Sequence, residues 1–417
     1  MHLLRRACHA AALLLASTIC VRPSLVRAQS SALTGALPLD LRVGCGASTP
    51  YGGDIAPPSP TQVTRSYWFV VEHPIAQFIS LHFAEFNLPK DDVVVIRATK
   101  PDDSETTQLR YRGSDKSGAF FSMPLFTKSV TIELYTSGER EGMKASECVG
   151  FVVDEFRFLA QESVLGNSTK EEICGGGDDS NEAACFRGQP QIYRRAKPIA
   201  RLLTQKGRKS FFCSAWLVGC EGHMLTNHHC ISNDDEAINT VFEFGGEGDT
   251  CDVKCNRAFG CRSKQRFTGR LIAADEELDY ALIKLDVNPV DEYGFLQMRE
   301  SGAELSERIY IPQHPSGWGK RVAVKTDDGE FGQVVSLTRG GCAVDQVAYY
   351  LDTRGGSSGS PVIGWRDHTV VALHHCGPCP NTAINMNKIV PHLRARFLLP
   401  ECSLSSDGPD CQCSANI

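Results

Sequence analysis

The chain has 417 residues, of which 42% are hydrophobic and 22% charged, with a formal net charge of −6 and 18 cysteines. That length exceeds what one hydrophobic core usually organises, so two domains are expected. The composition is ordinary for a soluble protein, and the acidic balance argues against nucleic acid as a partner.

Residues 1–28 read as a secretory signal, with Arg5 and Arg6 as the charged start, AALLLASTIC as the apolar stretch and Val26-Arg27-Ala28 as the cleavage site. A signal anchor is the alternative, but the apolar run falls short of the roughly 20 residues that a bilayer span needs. The reading is a secreted, extracellular protein with no membrane segment. Removing the leader takes away four arginines and no acid, which moves the formal charge from −6 to −10, and leaves 16 cysteines, an even number suited to disulfide pairing in an oxidising compartment.

Residues 39–160 hold short β-branched and aromatic runs (YWFVVE, FISLHFAEF, DVVVI, TQLRYR, FFSMPL, SVTIELYTS, GFVVDEFRFL) separated by Pro, Asp, Gly and Ser. This spacing predicts an antiparallel β-sandwich. The order of elements is similar to a CUB-type sandwich, without that family's calcium carboxylates; Glu85 reads as a surface acid. Cys45 and Cys148 bracket the region and are placed to tie its ends. Residues 161–195, rich in Gly, Asp, Asn and Ser, read as a linker stapled by Cys174 and Cys185, with a glycosylation sequon at Asn167 and a basic pair, Arg194-Arg195, that is either a processing site or merely exposed. The acids and glycines there miss EF-hand spacing.

Strand-like runs return in hairpin rhythm over residues 196–400 and close with one amphipathic helical stretch, NKIVPHLRARFL. The predicted fold class is mainly β: the sandwich, then two six-stranded barrels and a C-terminal helix, with 401–417 as a Cys-rich tail.

Three motifs in this second region carry chemistry. A serine hydroxyl needs a base that titrates near neutrality, and His229 in LTNHHC fills that role. Cys213, 17 residues upstream, is well placed for a disulfide with Cys230 that fixes the histidine loop, and His228 reads as structural. Asp279 opens DYALIKL, where a carboxylate can turn inward to hold the histidine, while Asp275 and Asp286 read as surface turns. GGSSGSPV is the most specific of the three. Its glycines allow the sharp turn that exposes Ser358 and directs the N–H groups of Gly356 and Ser358 at one point, an oxyanion hole. A flexible Gly-Ser linker is the bland alternative, but the run lies between two strand-like segments.

TNHHC, DYALIKL and GSSGSP together resemble the chymotrypsin-like serine peptidases, in particular the branch of glutamyl and lysyl endopeptidases, and IYIPQHPSGWGKRVAV and VVALHHCG are similar to that branch. The resemblance covers roughly residues 196–400. It implies a chymotrypsin-like double β-barrel, hydrolysis through an acyl-enzyme, protein or peptide substrates and no cofactor or metal. Ser357 stands where trypsin-type zymogens carry an aspartate, so activation by capture of a new N-terminus is not available; removal or displacement of the sandwich is the control expected instead. For the primary pocket the resemblance gives two answers. Asp352 matches the aspartate that selects Lys or Arg, whereas Thr353 and His374 match the pair that holds a glutamate side chain. Repulsion between Asp352 and a substrate carboxylate tips the expectation toward basic residues.

Other function classes are weaker. CGPC at 376–379 is a thioredoxin-like motif without its βαβ context. Cys251, Cys255 and Cys261 match no zinc spacing. An inactive peptidase-like scaffold with a binding sandwich remains the alternative outside enzymes.

Overall fold

The computed structural model describes residues 24–27, 34–44, 49, 51, 64–98, 108–137, 149–160, 173–206 and 209–411. Cys45, Cys148, Asn167 and Cys413 lie outside these residues, as do residues 1–23 of the expected leader. Ser24–Arg27 of that leader form a strand (β1) that pairs in parallel with Thr64–Glu72 (β3). No helix among the described residues is long and apolar enough to cross a membrane.

The predicted sandwich is present. Its further strands are Thr34–Gly44 (β2), Ala76–Asn87 (β4), Val93–Ala98 (β5), Gln108–Arg112 (β6), Phe120–Phe121 (β7), Ser129–Thr136 (β8) and Gly150–Ala160 (β9). They make two sheets, β1-β3-β8-β5-β6 and β2-β9-β4-β7. Side chains alternate across a strand, so one face of each sheet becomes apolar. Val130, Ile132 and Leu134 of β8 and Ile79, Leu81 and Phe83 of β4 meet in the common core.

The second half holds two larger sheets. The strands of the first are Ile199–Lys206 (β11), Lys209–Val218 (β12), His223–Thr226 (β13), Val241–Phe244 (β14), Gln265–Phe267 (β15), Gly269–Asp275 (β16) and Tyr280–Leu285 (β17). They run in the order β15-β14-β11-β12-β13-β17-β16. The second contains Asn181–Glu182 (β10), Ile309–Gln313 (β18), Arg321–Ala323 (β19), Ser336–Arg339 (β20), Gln346–Tyr349 (β21), Pro361–Gly364 (β22), Val370–Cys376 (β23) and Asn381–Asn385 (β24), ordered β10-β19-β18-β22-β23-β24-β21-β20. Strand alternation builds three cores from these two sheets. Ala215, Leu217, Ala281 and Ile283 fill the first; Ile311, Val347 and Val371 fill the second. Trp216, Leu225, Tyr280 and Leu282 point the other way and join Tyr310, Ile363 and Leu373 in a core shared by both. The predicted terminal helix spans Met386–Ala395, is capped by the Asn385 side chain and buries Ile389, Val390 and Leu393 in that shared core.

The expected linker is corrected from Cys174 onward. Asn181–Glu182 pair with Val322 and Arg321, and Ala183, Phe186, Ile192 and Ala196 are part of the shared core. Cys174 and Cys185 do not bridge each other: Cys174 joins Cys379 and Cys185 joins Cys251, because the segment pairs with β19 and packs into the shared core, which brings each cysteine to a different loop. Arg194 and Arg195 sit in the helix Pro190–Ala196, whose Ile192 and Ala196 are buried, and Arg195 donates to the carbonyl of His368. A protease needs an extended strand, so this pair is a poor processing site in the folded chain. Each sheet also exceeds the six strands expected, the second by taking up β10.

Six disulfides join described residues. Cys213–Cys230 is one, as expected, and Cys402–Cys411 staples the tail. Cys255 pairs with Cys261, and the two cysteines of CGPC have separate partners, Cys342 and Cys174, so neither a zinc set nor a redox pair is formed.

The sandwich docks on the first sheet of the second half. Phe78 of β4 points away from the sandwich core, since its neighbours Ile79, Leu81 and Phe83 set the inward register, yet it is only 1% exposed. What buries it is Phe259, edge-on at 5.5 Å, which also packs against Phe126 and Phe212. Polar contacts frame this layer: the N–H of Phe121 donates to Asn239, and Arg266 donates to the carbonyl of Pro124 while lying 4.5 Å over the Phe126 ring. Phe78→Ala is expected to cost about 3 kcal/mol and to split a single denaturant transition into two; one unchanged transition would show that the two halves do not depend on this layer.

Candidate active site

The three side chains singled out by motif meet in one row. The Ser358 hydroxyl lies 2.8 Å from Nε2 of His229, and Nδ1 of that ring lies 2.7 Å from Oδ2 of Asp279. Oδ1 of the same carboxylate accepts the backbone N–H of His229 at 2.9 Å. Each is positioned by its local chain. His229 sits in the turn after β13, where Cys230 N–H returns to the carbonyl of Asn227, the Asn227 amide reaches the carbonyl of Asp279 at 2.8 Å and the Cys213–Cys230 bridge ties the turn to β12. Asp279 ends a turn in which its N–H donates to the carbonyl of Glu276, and it takes a left-handed φ of 42° just before β17. Asp tolerates that region better than most residues, and the conformation turns the carboxylate inward.

Ser358 sits on the Gly-rich turn before β22. Gly359 has φ 86°, and a Cβ there would stand 2.2 Å from the carbonyl of Ser214, so only glycine fits. Gly356 has φ 104° and lies against the carbonyl of His314, while its own carbonyl accepts the Ser214 hydroxyl at 2.9 Å. Among the described residues no acceptor takes the N–H of Gly356.

The rival acids are elsewhere. Asp275 caps the turn at Leu278 N–H, and Asp286 binds the Thr268 hydroxyl on the surface. His228 is half-buried and lines, with Glu276, Glu277, Ala343 and His375, a cavity of about 290 Å³ beside His229. His375 was not foreseen as part of the site. Its Nδ1 lies 3.1 Å from Oδ2 of Asp279, and its Nε2 meets Oε1 of Gln346. The signal was present in VVALHHC: alternation along a strand sends two adjacent histidines to opposite faces, so one reaches the pocket and the other reaches Asp279. Burial works to raise the Asp279 carboxyl, but hydrogen bonds from His229 and His375 outweigh it and hold the group well below the usual carboxylate range.

In the expected pocket, His374 is fully buried with Nδ1 2.6 Å from the hydroxyl of Tyr349. Burial, and the charges of His375 and His229 beside it, lower its pKa to about 3, so it is neutral. Thr353 is buried, and its hydroxyl has no hydrogen-bond partner among the described residues. Asp352 is buried too, but both its oxygens are engaged: Oδ1 accepts the N–H of Cys174 at 2.8 Å and Oδ2 that of Asp179 at 2.7 Å. Burial, with Asp178 and Asp179 nearby, lifts its pKa to about 6 against the pull of those amides. Asp179, Asp327 and Asp352 bring carboxylate oxygens within 4.8 Å of one another, and Cys213, His229 and Cys230 form a similar group whose sulfurs are bridged to each other.

The Asp352 carboxyl gives a signed expectation. An aspartate in an unfolded chain titrates near 3.9, roughly two units lower, so across pH 4 to 6 the folded chain binds the extra proton. Stability from this group is present below pH 4 and is lost as pH rises through 6, by about 1 kcal/mol after allowance for solvent screening. Denaturant midpoints of Asp352→Asn measured between pH 4 and 7 should show a flatter curve than the parent; parallel curves would overturn this assignment.

Residues 213–373 match the family described as a trypsin-like peptidase domain. The chain is 47% identical over 390 residues to secreted RxLR effector protein 73 of Plasmopara viticola, an alignment that spans 90% of this chain and 94% of that protein. It is 29% identical over 166 residues to the uncharacterized protein y4fB of Sinorhizobium fredii, covering 37% of this chain and 24% of that one. Among solved structures, the HtrA-type protease AlgW with a tripeptide overlaps 50% of this chain and 63% of its own, at 18% identity and a TM-score of 0.38. Deg5 overlaps 51% of this chain and 96% of its own, at 14% identity and a TM-score of 0.37. The chain thus spans less than two thirds of the length of AlgW and about a quarter of that of y4fB.

Proposed function

We propose that this chain, which belongs to the same family as the secreted RxLR effector protein of Plasmopara viticola and carries a trypsin-like peptidase domain, is a secreted serine endopeptidase with Ser358 as nucleophile, His229 as general base and Asp279 as the acid that orients it. The observation that most supports this is the unbroken row from the Ser358 hydroxyl through His229 to Asp279. In this reading Nε2 of His229 takes the hydroxyl proton as Oγ attacks the substrate carbonyl. The N–H groups of Gly356 and Ser358 receive the developing oxyanion. The proton then passes to the leaving amine as the peptide C–N bond breaks, leaving an ester on Ser358 that water hydrolyses by the same route. Asp279 keeps the ring in the tautomer that presents a free Nε2 lone pair to the hydroxyl.

For the bond cut, the reading favours acidic residues at P1. The expectation of basic residues rested on a free carboxylate at Asp352, and that carboxylate is turned onto the amides of Cys174 and Asp179. The Thr353 hydroxyl and the neutral ring of His374 remain as the polar groups suited to a substrate carboxylate. Repulsion by Asp352 weakens when that group takes up its proton, so cleavage after Glu should gain relative to cleavage after uncharged residues as pH falls toward 6.

A fluorophosphonate probe should label the native protein and not Ser358→Ala, and that variant should lose at least about 10⁴-fold in kcat/KM. A folded parent that stays unlabelled would mean a peptidase-like binding scaffold instead. Peptide libraries varied at P1 should give cleavage after Glu; exclusive cleavage after Lys or Arg would return the pocket to Asp352.

A further inference from the structure

The second histidine on Asp279 has a protonation state fixed by its partners. Gln346 turns its amide NH₂ to the carbonyl of Ala343 and its oxygen to Nε2 of His375; reversed, the amide would set oxygen against oxygen. Nε2 of His375 must therefore donate. Its Nδ1 faces a carboxylate oxygen, which only accepts when ionised, so Nδ1 donates as well. A ring that donates from both nitrogens is an imidazolium, and its 5% exposure keeps water from replacing either partner.

We propose that His375 is a positioning residue for the orienting carboxylate: standing as a cation between Gln346 and Asp279, it fixes the carboxylate plane against His229 and offsets part of its negative charge. This rests on the serine peptidase reading. Oδ2 of Asp279 is shared by the two rings, one on each side, while Oδ1 is held by the His229 amide, so the carboxylate cannot rotate without losing one of three bonds. The depressed titration of Asp279 agrees with two ring donors rather than one. The offset also has a sign. A lone carboxylate would hold the proton on His229 as pH falls, and a cation beside that carboxylate weakens the hold, so the acid limb of kcat/KM lies at lower pH than Asp279 alone would place it.

Other charges face the ring and are part of the balance. The histidine turn contributes His228 and His229, and the turn before β17 contributes Glu276 and Glu277. His374 adjoins it on the same strand and is neutral. Asp345 precedes Gln346, Arg339 pairs across from it on β20, and Lys388 donates to the carbonyls of Val344 and Asp345. Among the described residues, Asp279 and Gln346 are the groups that hydrogen-bond the ring.

Two substitutions separate the charge from the hydrogen bond. His375→Asn keeps an N–H toward Asp279 and carries no charge: its kcat at the optimum should fall by less than that of His375→Leu, while the acid limb of kcat/KM moves up by about 0.5 pH unit or more. His375→Leu removes both and should lose about 10-fold or more in kcat at every pH. One-dimensional proton NMR of the full chain reads the contact without activity, since this site in the parent should show three low-field imidazole N–H signals, one from His229 and two from His375, and His375→Asn only the one from His229. A His375→Asn profile that superimposes on the parent, or an unchanged low-field spectrum, overturns the proposal. If the parent fails to take up the fluorophosphonate probe, the peptidase reading falls, and the low-field spectrum still decides whether His375 holds Asp279.

Discussion

Ser214 is the point on which the rest of the site depends. Buried on β12, it uses all four of its polar groups at the seam between the two large sheets. Its N–H donates to the carbonyl of Ser358 at 2.8 Å and its hydroxyl to the carbonyl of Gly356, while the hydroxyl oxygen accepts the N–H of His314 at 3.0 Å. Its carbonyl accepts the hydroxyl of Thr226, at the root of the histidine turn. One residue thus sets the nucleophile turn, the loop under Gly356 and the base turn at fixed distances from one another. A buried polar network of this kind specifies a single geometry because any slip would strand one of the groups that Ser214 satisfies.

Next to this hub a buried ion pair lies behind the loop that meets the nucleophile turn. Ser357 carries no charge, and the loop that supports Gly356 is held from behind by Arg201. That guanidinium is buried against Glu243 at 2.8 Å and donates to the carbonyls of Gly317 and Trp318. Phe259 donates its own N–H to Gly317 and lies under Arg201 at 5.3 Å. The other side of Phe259 is the layer on which the sandwich rests. The N-terminal domain therefore stands one aromatic ring away from the loop beneath the nucleophile turn.

Much of this was legible in the sequence, for identifiable reasons. GGSSGSPV demands left-handed glycines at fixed positions, and the structure uses Gly356 and Gly359 for that purpose. DYALIKL and the strand runs follow from period-two burial, which depends only on neighbours. Three features were not legible. Pairing of Cys174 with Cys379 spans 205 residues, and nothing local encodes such a partner. The segment from Cys174 to Ala196 reads as a linker because its few apolar residues, Ala183, Phe186 and Ile192, follow no period, although each is buried. Asp352 looked like a pocket charge because its residue type fits that role; only its partners show that backbone amides occupy it.

The bridges of that misread segment bear on how the molecule could be divided. Cys174 and Cys185 both lie before the basic pair Arg194-Arg195, and their partners Cys379 and Cys251 both lie after it. A cut at this pair would interrupt the backbone yet leave the two fragments joined by the two covalent links found among the described residues, one to a loop of each large sheet. Such a nicked molecule would migrate as one species until reduced and would not shed its N-terminal half. Physical separation of the sandwich from the peptidase would require scission upstream of Cys174, which makes the first bridge the topological border between the two halves of the chain.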